Sequence, residues 1–354
     1  MDQLGGRDPL GEGTVTGAIE TRELITVDVG QFTLRGTYHR SRGDSSKPVA
    51  DTKDRIGILF LNHGFLPRAA PGDSAVYWAD SFANCGYPSF RFDLPGLGDS
   101  DGDIPTQMLD FVNAGGYAPV LSATIKNLVE RFSLSGIVIM GHCAGAVTAL
   151  YTAATSKVCS GLVLTDPYFF LPRERTRLRE ELSRWSSWSR IGALISNIYY
   201  SLKHIRLLAL RNRPPRNANL PLLRCWTQLA SAGMPILVMK APAVKAQGIK
   251  PRMGEFDYLG YLAALSGRGN RVVLKFVEGT NHSFADVVGR AAIRQYAEEW
   301  LNASFPRTGV PSPPDLESCR VKVRGGRTLD GGATEPQLLN LDSSRSAHKS
   351  GLAL

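Results

Sequence analysis

The sequence lacks the features that would place it outside ordinary globular proteins. No stretch approaches about eighteen uninterrupted apolar residues, so no membrane-spanning helix is expected. The five cysteines, Cys85, Cys143, Cys159, Cys225 and Cys319, are odd in number and show no CxxC spacing. That pattern argues against a disulfide framework and against a structural zinc site, and neither a metal nor a cofactor is expected. The opening residues Met1-Asp2-Gln3-Leu4-Gly5-Gly6-Arg7 carry neither the basic nor the apolar region of a secretory signal, so a cytoplasmic location is expected. Acidic residues are the minority, 32 against 41 Lys and Arg, for a net charge of +9. No nucleic-acid-binding motif accompanies this excess, and nucleic acid is not an expected partner.

What is present is a chain of 354 residues, 43% hydrophobic and 21% charged, long enough to bury a sizeable core. Both ends are poor in core-forming residues. Residues 1–21 contain five glycines, and the chain after Phe305 holds six Gly, five Pro and six Ser with no aromatic side chain. Such segments bury too little to offset the entropy of ordering, so 1–21 and 305–354 are expected to be flexible and 22–304 to form the structured body. The positive charge is local: residues 168–220 hold eleven Lys or Arg against three Glu.

Within the body, short apolar runs alternate with stretches of helical spacing. Strands are expected at Leu24–Val29, Phe32–Tyr38, Ile56–Leu61, Ser89–Phe92, Gly136–Met140, Gly161–Thr165, Ile236–Met239 and Val272–Phe276. From Ile56 onward these runs are nearly continuous Ile, Val, Leu and Phe, the pattern of a mostly parallel sheet covered on both faces. The first two can pair as an antiparallel edge hairpin. Helices are expected at Ser74–Cys85 and at about 117–132, 144–155, 254–265 and 288–302. This alternation predicts a doubly wound α/β fold. It breaks over 168–232, a basic segment with helical spacing around Leu178, Leu182, Trp185 and Ile191, which reads as an inserted helical cap after the sixth strand.

The sharpest motif is Met140-Gly141-His142-Cys143-Ala144-Gly145, a buried strand running into G-x-C-x-G and then a helix. A nucleophile elbow of this kind forces its central residue into a strained turn, with Gly141 and Gly145 relieving the crowding on either side. The sulfur is thereby lifted to the start of a helix, where the dipole favours negative charge. After the third strand comes Asn62-His63-Gly64-Phe65, a turn that can aim a backbone amide at the same edge. Ala144 and either Phe65 or Leu66 are thus candidate oxyanion donors. After the last strand comes Thr280-Asn281-His282-Ser283. Of the six histidines, His282 alone follows both the nucleophile and a terminal strand in the order expected, between the last strand and the last helix, which makes it the candidate general base.

The acid that would orient His282 is less clear. Met239-Lys240-Ala241-Pro242 offers no carboxylate after the seventh strand. Asp166, at the end of the sixth, is slightly preferred over Glu255 and Asp257, which lie in what reads as the first turn of a helix. Asp99, Asp101, Asp103 and Asp110 have calcium-loop spacings, but Ile104 stands where such a loop needs glycine, so a tight turn is expected there.

The elbow, the His-Gly turn and the late histidine, in this order, resemble the α/β-hydrolase superfamily, and the similarity spans most of 22–304. The stretch Gly86-Tyr87-Pro88-Ser89-Phe90-Arg91-Phe92-Asp93-Leu94-Pro95-Gly96-Leu97-Gly98-Asp99-Ser100 is similar to its serine-aminopeptidase-like branch. The cysteine elbow resembles the hydrolases associated with exosortase gene clusters. The resemblance implies an α/β-hydrolase fold, with an eight-stranded, mostly parallel sheet and a cap shaping an acyl pocket. It also implies a triad of Cys143, His282 and a carboxylate. The expected activity is thiol-dependent acyl transfer from an ester or thioester, to water or to an acceptor. The basic segment fits a small acyl substrate linked to coenzyme A or a carrier protein. A catalytically silent relative that binds a ligand or partner through the same pocket is the alternative. A carboxylate within reach of the His282 ring distinguishes the two.

Overall fold

The computed structural model describes residues 21–41, 55–61, 63–169, 171, 217–241, 258–267 and 271–306. The chain divides into two compact units, Met1–Pro311 and Ser312–Leu354, and every described residue belongs to the first.

Eight strands form one sheet: β1 (Arg22–Val29), β2 (Phe32–His39), β3 (Ile56–Leu61), β4 (Ser89–Phe92), β5 (Gly136–His142), β6 (Cys159–Thr165), β7 (Ile236–Lys240) and β8 (Val272–Phe276). Their spatial order is β1-β2-β4-β3-β5-β6-β7-β8. The first two are an antiparallel hairpin, β2 joins β4 antiparallel, and every later pairing is parallel. The described helices are α1 (Ser74–Asn84), α2 (Met108–Asn113), α3 (Ala118–Arg131), α4 (Ala144–Thr155), α5 (Leu220–Ser231), α6 (Tyr258–Ser266) and α7 (Val287–Ser304). None of them is long and apolar enough to cross a membrane.

The near-continuous apolar strands divide their side chains between two cores, because successive residues point to opposite faces. Leu59, Ile137, Ile139, Leu162, Leu164 and Val238 enter one, with Leu121 of α3, Val147 of α4 and Trp226 of α5. Ile58, Phe60, Val138, Met140, Val163 and Leu237 enter the other, with Trp78 and Phe82 of α1 and Trp300 of α7. Each such buried Leu, Ile or Val contributes about 1.5–3 kcal/mol. The last strand departs from this rule. Val273 and Phe276 of β8 are exposed, because β8 lies at the sheet edge.

The helix β5 leads into is the most enclosed. Residues Ala144 to Ala153 of α4 are all buried against β5, β6, α3 and α5, which the small side chains Ala144, Gly145, Ala146 and Ala149 permit. Its threonines satisfy their hydroxyls internally: Thr148 donates to the Ala144 carbonyl at 3.1 Å and Thr152 to the Thr148 carbonyl at 2.8 Å.

The expected insertion at 168–232 is too long at its far end. Residues 220–231 form α5, whose Leu222, Leu223, Trp226 and Leu229 are buried in the sheet's core. Asn219 starts this helix by accepting the Leu222 amide at 3.2 Å, with a proline in its first turn. The remainder of that segment, 172–216, lies outside the described residues. So do the first twenty residues and those after 306.

Candidate active site

Cys143 is the single residue between β5 and α4, with φ 52° and ψ −113°. A non-glycine residue at positive φ costs on the order of 1–3 kcal/mol, so the surrounding backbone has to impose it. It does so from three sides. The Cys143 amide donates to the Thr165 carbonyl of β6 at 3.0 Å, and its carbonyl accepts from Ala146 and Val147 at 3.1 and 3.3 Å. A side chain at Gly141 would overlap the Gly145 carbonyl and sit 2.7 Å from the Ala146 nitrogen. The sulfur therefore stands half-buried at the start of α4, where the helix dipole favours negative charge.

His282, in the loop between β8 and α7, hydrogen-bonds through Nδ1 to Oδ2 of Asp166, and one of its ring nitrogens lies within 4.8 Å of Cys143 Sγ. The structure thus brings Cys143, His282 and Asp166 into one chain of contacts. Glu255 and Asp257, the other candidate acids, lie outside the described residues. Asp166 ends β6 in a left-handed conformation, φ 46°, with its amide fixed to the Met239 carbonyl at 2.7 Å. Its second oxygen accepts from Lys240 Nζ at 2.9 Å.

The charges are mutually supporting. Burial pushes the Asp166 carboxyl up, but the hydrogen bonds from His282 and Lys240 outweigh it and hold the group below its ordinary value. The Asp166 hydrogen bond, then the Cys143 hydrogen bond, raise His282 to about 10 against a burial that works the other way.

Two further histidines join this cluster, and sequence reasoning assigned neither a side-chain role. The His63 ring stacks on His142 with centroids 3.9 Å apart, and His282 lies edge-on to His63 at 5.7 Å. The strand register accounts for this. Leu61 pairs with Gly141 across β3 and β5, so the residues just past those strand ends become neighbours. Both rings are held neutral. Burial, then the His282 charge, lowers His63 to about 4, and burial, then its two histidine neighbours, holds His142 well below the ordinary imidazole range. His142 Nδ1 contacts Thr165 Oγ1 at 2.9 Å, and Thr165 Oγ1 donates to the Gly141 carbonyl at 3.3 Å. The ring therefore donates through Nδ1–H, and its buried Nε2 has no partner among the described residues.

The turn holding Phe65 and Leu66 is tethered from below. Buried Asp93, just after β4, accepts the Arg68 amide at 2.6 Å and also the Arg68 guanidinium. Arg91 of β4 donates to the Arg68 carbonyl at 3.1 Å and, through Nε, to His39 at 2.8 Å. The Leu66 amide is engaged within the turn, donating to the His63 carbonyl at 3.2 Å. The acidic loop after Asp93 is a folded turn: Arg68 meets Asp99 at 2.7 Å and Arg35 meets Asp101 at 2.5 Å. A side chain at Gly98 would overlap the Asp93 carboxylate, which explains the glycine there. The four described cysteines are free thiols, and burial pushes Cys159 up to about 12.

Residues 57–188 match the family model described as alpha/beta hydrolase fold. Among solved structures, an esterase from Pyrococcus furiosus is similar, with 14% identity and a TM-score of 0.53 over 80% of this chain and 91% of that one. DcsB, solved in complex with its substrate analogue, is 16% identical with a TM-score of 0.50 over 80% of this chain and 99% of that one. No curated protein matches the sequence significantly. The sheet order, the strand-to-helix elbow and the family match show that the chain has the α/β-hydrolase fold.

Proposed function

We propose that this protein is a cysteine-dependent acyl-transfer enzyme that cleaves an ester or thioester. The observation that carries this reading is the arrangement Asp166–His282–Cys143, in which a carboxylate holds one ring nitrogen while a nitrogen of the ring lies within 4.8 Å of the sulfur. A binding-only relative has no need of that carboxylate, so the arrangement favours catalysis over the silent alternative. The fold is that of hydrolases, and the similar Pyrococcus furiosus protein is an esterase. The cysteine elbow is the feature that supports a resemblance to the exosortase-associated hydrolases.

In the proposed reaction His282 already carries the proton, and Cys143 Sγ, paired with that charged ring, attacks the substrate carbonyl carbon as a thiolate. The negative charge formed on the carbonyl oxygen is held by the amides of Ala144 and Phe65. Phe65 is preferred to Leu66 because the Leu66 amide already closes the turn onto His63. The tetrahedral intermediate collapses, and the leaving alcohol or thiol takes the proton from His282. What remains is a thioester at Cys143, which water or an acceptor nucleophile then attacks, with His282 accepting its proton. The second tetrahedral intermediate collapses, breaking the bond to sulfur and leaving the Cys143 thiolate beside the charged His282. Asp166 keeps the ring oriented and stabilises its charge throughout.

The eleven Lys or Arg of residues 168–220 supply a local positive field that suits an anionic acyl carrier such as a phosphopantetheine-linked substrate. If so, raising salt raises the apparent KM, and an indifferent KM removes the carrier from the proposal. The enzyme reading itself is tested with a panel of ester and acyl-thioester substrates on wild type, Cys143→Ser and His282→Ala. Both variants should lose at least about a thousandfold in kcat. Retained turnover in His282→Ala rejects the assigned base.

A further inference from the structure

Cys143 Sγ, one ring nitrogen of His63 and one of His282 all lie within 4.8 Å of one another. We propose that these three side chains bind a divalent ion of the zinc class. One sulfur and two imidazoles form a borderline-soft donor set that suits Zn2+ or Co2+ and disfavours Mg2+ and Ca2+. In a tetrahedral zinc site with bonds of about 2.0–2.3 Å, adjacent donors stand about 3.3–3.6 Å apart. Each separation thus closes by at most ~1.5 Å, which side-chain rotation at two loop histidines can supply.

The surroundings would support a bound ion. His282 is oriented by its Nδ1 contact with Asp166, and Asp166 by Lys240. A carboxylate behind a ligating imidazole fixes its orientation and strengthens it as a donor. His63 is oriented by its stacking on His142. Three protein donors leave a fourth position for water or another ligand. The acidic loop is a poorer cation site, because Asp99 and Asp101 are paired with Arg68 and Arg35. Sequence spacing could not show the cluster, since its donors follow three different strands.

Coordination releases to solvent the protons carried by the sulfur and by the ligating ring nitrogens and engages the sulfur lone pair, so the ion blocks attack on a carbonyl. This consequence rests on the acyl-transfer reading; the binding does not. The test uses the full-length chain stripped with a chelator and titrated with Co2+, then Zn2+. A sulfur-to-cobalt charge-transfer band should saturate at one equivalent and be displaced by Zn2+. It should vanish in Cys143→Ser and need at least tenfold more Co2+ in His63→Ala and in His63→Gln, with circular dichroism checking that each variant is folded. In wild type, Zn2+ should also protect Cys143 from alkylation, a readout that needs no variant. Absence of the band, unchanged affinity in the folded His63 variants, or unaltered alkylation overturns the proposal. Acyl-enzyme formation measured in chelator separates the two ideas. Acylation without metal binding removes only this inference, and metal binding without acylation removes only the enzyme reading.

Discussion

Lys240 and Asp166 face each other from the ends of neighbouring strands, the ammonium donating to Oδ1 at 2.9 Å while Oδ2 serves His282. Where the sequence shows no carboxylate after the seventh strand, the fold places a cation that grips the carboxylate of the sixth. In the proposed acyl-transfer reaction Lys240 would act as a positioning residue. In Lys240→Met, kcat should fall roughly tenfold with KM little changed. The Asp166 carboxyl should titrate at higher pH by 13C NMR, because Lys240 is one of the groups holding it down. An unchanged titration excludes the role.

Asp166→Asn removes the main cause of the raised His282 value. Histidine NMR should show that ring titrating closer to its ordinary 6.5 than to about 10. Turnover should drop by about two to four orders of magnitude. A ring that still titrates near the wild-type value would show that another carboxylate does the work.

The same shift makes stability depend on pH. His282 titrates at about 10 in the fold against 6.5 ordinarily, so its contribution is complete below 6.5 and is lost as pH rises through about 10. Measurements are kept above 3.8, the ordinary carboxyl value, so that Asp166 stays ionised. The Tm advantage of wild type over His282→Gln should be largest just below 6.5 and close steadily toward about 10. An advantage that grows with pH contradicts the assignment.

At the elbow, Gly141→Ala drives a methyl group into the Gly145 carbonyl, a backbone atom that cannot rotate away. The expected cost is about 3 kcal/mol, read from urea denaturation, or failure to accumulate folded protein. A neutral substitution would mean that the turn is less constrained than its geometry implies.

Much of the fold was legible because local signals and global packing agree. The apolar run Ile137-Val138-Ile139-Met140 serves two cores at once, so it reads as a central strand, and the following G-x-C-x-G marks where it must turn. The short helix α2 was not anticipated, since its six residues bury little beyond Met108 and Val112. Helix α5 was absorbed into the expected cap because the helical spacing of that basic segment continues into it, and only its packing on α4 separates the two. The continuity of Val272–Phe276 suggested burial on both faces, but a strand's place at an edge depends on its partners and not on its own residues. In the site, Asp166 was preferred only slightly, because an Asp before Pro is also an ordinary turn former. The roles of Lys240, His63 and His142 depend on which strand ends lie side by side. Register supplies that information, and composition does not.

The central claim is that Cys143 carries the acyl group. Intact-mass and peptide mass spectrometry after rapid mixing with an activated acyl thioester test it most directly. The account predicts one acyl adduct, labile to hydroxylamine, on the peptide containing Cys143, absent in Cys143→Ala and accumulating in the Cys143 wild type when acceptor is withheld. An adduct on another residue, or undiminished turnover by Cys143→Ala, would contradict it.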